Sequence, residues 1–363
     1  GAQSMRLDTN GAARLTIAAN GNVGLGVTAP AAALHIDAID NGAIVAIFDT
    51  DNSASKLIFR NTSTTSNNTQ IGADANDFVV FTGGAERFRI AADGAISTPT
   101  AGTSNVRLGV NAGDLIESGG NFNVCIGDEA GTAITTGKNN TALGYQALDA
   151  EDTGGNCTAI GHKALSTQNN NNLNNFNTAV GSDAATSLTT GVSNTFLGGE
   201  AAKFLTTANN SIFIGQASAK GGDGTPLTGT ANTVVGQAAG LVLQGAAANN
   251  TIVGRGAALK QTTAIENVIV GANAGIENLT GQRNVLVGNN AGANVTTSNN
   301  TFVGANGASG GCGEAMTTGD ANTILGGYNG NQNSLDLRTS SNNIVLSDGD
   351  GVPRLHFNSA GEL

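Results

Sequence analysis

From residue 105 onward the chain repeats one short pattern: Asn, a β-branched residue, a usually apolar residue, an aliphatic residue, then Gly. The stretch "NNTALGYQAL" (139–148) contains it, and it returns as "NTAVGSDAA", "NTFLGGEAA", "NTVVGQAAG" and "NVLVGNNAG". The closing glycines run Gly109, Gly127, Gly144, Gly161, Gly181, Gly198, Gly215, Gly236, Gly254, Gly271, Gly288, Gly304 and Gly326, most often 17 residues apart, with "NIVLS" (343–347) as a decayed fourteenth unit. Self-similarity at a fixed period implies a solenoid in which each unit packs on its neighbours. β-branched and aliphatic residues in alternation make a short strand, and the unit lacks a 3.6-residue stripe, so helical repeats are excluded. The expectation is an all-β protein: a parallel β-roll or β-solenoid of about thirteen coils, two strands to a coil.

Each column of the repeat has a physical reading. Gly permits a positive φ at a corner, and Asn tolerates the same backbone or bonds locally. The Asn four residues before the Gly is replaced only in two units, by Cys157 and Ser211. Stacked identical Asn side chains can also form amide ladders. Three residues past the Gly stands Ala in ten of the thirteen units, where a small side chain fits. The first and third strand positions (Thr141 and Leu143 in one unit) are expected to fill the roll.

The middle strand position then points the other way. It reads Arg107, Cys125, Ala142, Ala159, Ala179, Phe196, Phe213, Val234, Ile252, Ile269, Leu286, Phe302, Ile324, apolar in all but one unit. A strand apolar on both faces is buried on both faces. The middle column is therefore expected to pack against partner chains around a trimer axis, through Ala142, Ala159, Ala179, Phe196, Phe213, Ile252, Ile269, Leu286, Phe302 and Ile324. Its growth from Ala to Phe would make that axis narrow first and wider after residue 196.

The flanks share a second phrase: "RLTIAANG" (14–21), "RFRIAADG" (87–94) and "RLHFNSAG" (354–361), each a strand entering a turn with its Arg at a strand or chain interface. The organisation expected is an N-terminal β segment (1–40), a β-rich shoulder (41–100), the roll (101–330) and a small β closure (331–363), the flanks capping the solenoid. Residues 1–4 read as a remnant ahead of Met5. Excursions at 166–176, 220–229 and 307–319 are candidate contact loops.

Composition adds limits. The 363 residues include 53 Gly and 46 Asn, no Trp, and carry a net charge of −11. An acidic chain of this kind suits neither nucleic acid nor an anionic membrane surface, and no apolar run reaches the length of a membrane span. Three cysteines with long spacings make neither a disulfide framework nor a zinc site, and no cofactor or metal is expected. His35, His162 and His356 stand far apart. "GNVGLG" (21–26) lacks the order of a dinucleotide fingerprint, and "DTDN" (49–52) and "DGDG" (348–351) lack complete calcium-loop spacing. Glu151 and Asp152 are adjacent on one loop and not paired across a cleft, so no enzyme is expected.

With those residues in view, "RLTIAANGNVGLGVTAPAAALHI" (14–36), the repeats, and "SSNNIVLSDGDGVPRLHFNSAGEL" (340–363) resemble bacteriophage tail-fibre proteins, specifically those preceding an endosialidase-type intramolecular chaperone. The repeats also resemble the heads of trimeric autotransporter adhesins, left-handed parallel β-rolls. The resemblance implies a homotrimer on a virion tail, or alternatively a bacterial surface, binding a host receptor that is a glycan or an outer-membrane protein. It transfers no catalytic residue. The closing phrase resembles the stretch before the chaperone, which makes a matured or shortened form the expectation. Candidate receptor contacts are Tyr145, His162, Asn171, Asn174, Asp223 and Tyr328, the aromatic ones because they follow the Gly corner. An ice-binding solenoid is also raised by the Thr column, and set aside because Val shares that column as it would at an inward position.

Overall fold

The computed structural model describes residues 4–9, 12–31, 33–36, 54–59, 69–82, 85–94, 96–98, 102–170, 174–222, 224–306 and 310–363. No helix occurs among them, and they form two compact units, 1–96 and 97–363. The first unit holds a four-stranded sheet (Met5–Thr9, Ala12–Ile17, Val23–Leu25, Leu34–Ile36) and the first four strands of a five-stranded one (Ala54–Phe59, Thr69–Asp74, Asp77–Thr82, Ala85–Ile90, Ile96–Ser97). The recurring Arg phrase marks the second strand of an antiparallel hairpin each time. Arg14 and Arg87 donate through Nε to Thr9 and Thr82 near the end of the first strand, and Arg354 reaches Asp348 in the same way.

The second unit is a parallel β-solenoid of fourteen coils. One three-residue strand per coil, Val106–Leu108 through Thr323–Leu325, stacks in register with the next, and the decayed unit Ile344–Ser347 continues the sheet. Pro353–Phe357 closes it antiparallel, so the C-terminal closure is continuous with the roll. There is one strand per coil and not two; the opposing wall is a run of turns. Gly at the corner is required twice over. Gly271 sits at φ +140°, and a Cβ there would lie 2.1 Å from the carbonyl oxygen of Gly288 on the next coil. The residue just before the Asn column is left-handed in every coil, as with Asn139, Asn249 and Asn299.

The Asn column itself is buried and forms the amide ladder (Asn140, Asn194, Asn267 and Asn300 are 0–1 % exposed). Asn267 Oδ1 accepts the N–H of Asn284 at 2.9 Å, and its Nδ2 donates to Gly281 O at 2.9 Å. Asn250 makes the equivalent bonds to Asn267 N and Ala264 O. Where Asn is missing, Ser211 Oγ keeps the rung by accepting the Asn232 N–H, while Cys157 donates its N–H to Asn140 Oδ1 at 3.0 Å. At Asn343 the next strand is antiparallel, and His356 Nε2 on it meets Asn343 Oδ1 at 3.1 Å.

This ladder reverses the expected faces of the strand. Asn is two residues before the middle position, and side chains two apart share a face. The middle column therefore points into the roll. Ala142, Ala159, Ala179, Phe196, Phe213, Ile252, Ile269, Leu286, Phe302 and Ile324 are 0–1 % exposed within this one chain. They do not face partner chains, and Thr141 and Leu143 do not fill the roll; they point outward, half-buried and exposed.

Nor does the roll widen after residue 196. At several coils the left-handed interior residue after the corner offsets the size of the middle position: Ala142 with Leu148, Phe196 with Ala202, Leu286 with Gly292 and, past an insertion, Phe302 with Gly313, whereas Ala179 meets Ala185. A Cβ on Gly313 would lie 2.3 Å from the Phe302 ring. Phe196 and Phe213 stack on adjacent coils, centroids 5.8 Å apart. Side-chain sizes thus trade across the interior at these coils, as close packing of one shared space demands. At the first coil, Arg107 ends the core by turning its guanidinium to Ala112 O and Asp114.

Candidate functional site

The outward face of the fourteen parallel strands carries two columns. The first mixes Thr with Val and Ile: Thr178, Thr195, Thr251, Ile212 and Val268 are all exposed. The third is aliphatic at every coil, from Leu108 through Ile160, Val235 and Val287 to Leu346, each exposed or half-buried. Leu143 is 42 % and Leu197 47 % exposed. Thirteen intervals of about 4.8 Å make the stripe roughly 62 Å long, and two columns about 7 Å apart give a patch on the order of 430 Å². That is the size of the largest patch on a typical single soluble chain, which is often functional.

The aromatic candidates separate into two groups. Tyr145 and His162, on successive coils, stack with ring centroids 5.6 Å apart; Tyr145 is 44 % exposed and the His162 side chain 51 %. His162 Nδ1 lies 3.4 Å from Asp183 Oδ1, and the charges continue along the rod through Lys203, Glu200 and Lys220. The hydrogen bonds from Lys220 and Lys203 hold the Glu200 carboxyl below its ordinary pKa. Asn174 is exposed and extends a surface amide ladder, accepting from Asn156 Nδ2 at 2.9 Å while Asn139 donates to Asn156.

Tyr328, in contrast, is buried and is not an outward contact. Its coil brings it to the inner place that Ala holds elsewhere: Gly313 N bonds Tyr328 O just as Gly292 N bonds Cys312 O. Its hydroxyl donates to Leu335 O at 2.8 Å, and burial raises its pKa. Asn171 and Asp223 lie outside the described residues, as do "DTDN" and residues 307–309 of the third excursion.

The remaining polar groups are committed structurally. Asp348 of "DGDG" accepts the N–H groups of Asp350 and Val352 and pairs with Arg354. Cys125, Cys157 and Cys312 are free and buried, and desolvation pushes the latter two thiols up to about 12. Glu151 and Asp152 do not act together: Asp152 accepts the Thr135 hydroxyl, whereas Glu151 is wholly enclosed in the roll. A buried acid there was missed by sequence reading; the signal was its place in a column that reads Ile116, Ile134, Leu188, Leu205 elsewhere. The chain matches no family model, no curated protein and no solved structure.

Proposed function

We propose that this chain is the roll-bearing part of a trimeric bacteriophage tail fibre, a structural and adhesive protein that supports or forms a host receptor-binding surface and carries no catalysis. The supporting observation is the outward aliphatic column, unbroken over fourteen coils. Its pitch is that of the chain itself, so a second and third copy in register around a common axis match it rung for rung. The inference of an oligomer thus moves from the middle column to the third. Each chain would give the axis one flat face and keep the Tyr145–His162 stack and Asn174 for a receptor. Three copies of one weak contact would then add avidity. A bacterial trimeric adhesin head obeys the same physics, and a membrane-anchor domain encoded in the same gene would favour it.

Light scattering on the chain and on Leu197→Glu tests this reading. The unaltered chain is expected at three times 35.9 kDa, and the variant at lower mass with unchanged circular dichroism. A monomer for both sinks it. The outward Thr column supports a second reading, an ice-binding face, because Val and Ile share that column on the outside and not the inside. Thermal hysteresis in a chain that scatters as a monomer would favour it over the fibre.

A further inference from the structure

The interior column seven residues past the corner Gly holds Ile116, Ile134, Leu188, Leu205, Leu243 and Val295, and the buried polar residues Gln168, Gln261 and Asn278; Glu151 is its one acid. Glu151 is 0 % exposed. Its Oε1 accepts the Gly154 N–H at 2.8 Å and its Oε2 accepts from Asn175 Nδ2 at 2.8 Å. The N–H groups of Asn170 and Asp152 also face it. Asn175 Oδ1 and Gln168 Nε2, both buried, have no partner. The same place interrupts the amide ladder, with Cys157 standing where Asn belongs.

We propose that Glu151 is a proton-operated latch inside the roll: neutral, it seals the corner of 151–157 against 174–177, and ionised, it loosens that corner. Three observations carry this. A carboxylate enclosed without a counter-ion is costly, and no Lys, Arg or His among the described residues pairs with Glu151. The titratable groups that act on it are acids: Asp152 on its own corner and the Cys157 thiol just before Thr158–Ile160. A carboxyl proton also supplies a donor, which is what Asn175 Oδ1 lacks after a turn of the amide.

The backbone donors favour the anion, but enclosure outweighs them and pushes the carboxyl up to about 7 from 4.5. A group whose folded pKa lies above its unfolded one binds more protons when folded. The corner is therefore tightest below about pH 4.5, weakens as pH rises towards 7, and levels off above.

Amide exchange read residue by residue between pH 5 and pH 8, corrected for intrinsic rates, tests the latch. Protection of Gly154 and Asn175 is expected to fall at least about tenfold, since one pKa unit is tenfold in the equilibrium, while Thr251 and Val268 change little. In Glu151→Gln, which is neutral at every pH, the fall should vanish. Equal pH dependence in both regions, or its survival in Glu151→Gln, overturns the proposal. If that variant does not fold, side-chain carbon NMR of Glu151 in the unaltered chain decides. A midpoint above the ordinary carboxylate range supports the latch, and one at or below it overturns it.

Discussion

Exchanging Ala142 and Leu148 for the pair found three coils further on tests the core description most directly. Coil Ala142/Leu148 would become Phe/Ala, as in Phe196/Ala202. Both native residues are 0 % exposed. Leu148→Ala alone opens a cavity between stacked coils and should cost about 2–5 kcal/mol. Ala142→Phe alone forces a ring against Leu148 and should cost about 3 kcal/mol or more, at or beyond the upper end of ordinary overpacking. If the two positions share one volume, the double variant fills its own cavity and should lie within about 2 kcal/mol of the unaltered chain. The coupling energy would then be at least about 3 kcal/mol, large for neighbouring residues. Denaturant unfolding followed by circular dichroism measures all four proteins. A double variant whose loss equals the sum of the singles would refute facing columns and the compensation with them. Phe196 already pairs with Ala179 on the adjoining strand, so a Phe beside Ala159 meets a precedent.

Two other outcomes are expected. Asn267→Ala strips partners from two buried backbone groups, Gly281 O and Asn284 N, and should cost about 2–5 kcal/mol; exposed Val268→Ala, one residue on, should cost under about 1 kcal/mol, and equal losses would deny the ladder its role. Gly271→Ala introduces both an unfavourable φ and a 2.1 Å contact with Gly288 O, for a loss of at least about 2 kcal/mol, read as a lowered unfolding midpoint; an unchanged midpoint would contradict the corner geometry.

Much of the architecture was legible in the chain. The period, the strand, the Gly corner, the amide ladder and the N-terminal hairpins follow from columns of residues whose backbone needs are specific. The stacked aromatic pair was legible too, because Tyr145 and His162 hold the same place in successive units. Tyr328 misled because its unit shifts the corner, bringing it to the place that Ala fills elsewhere. Glu151 misled because adjacency to Asp152 suggests a surface acid pair, while its column position says interior.

What the sequence determined alone is the repeat and its local conformation, since these rest on backbone preferences that each unit states for itself. It did not determine which face of the strand is the inside. The inner face is apolar and the outer one mixes Thr with Val, Ile and Leu, so a three-residue strand has no charged or strongly polar side to settle the matter. The decision belongs to the closed coil: Asn must reach the carbonyls of the corner from within, and alternation then carries Ala142 and Phe196 inward and leaves Leu143 and Leu197 outside. A trace of that decision was present in the sequence, in the opposed sizes of the two interior columns at coils such as Ala142/Leu148 and Phe196/Ala202. It becomes readable once the coil brings those columns face to face, because only then do their volumes compete for one space.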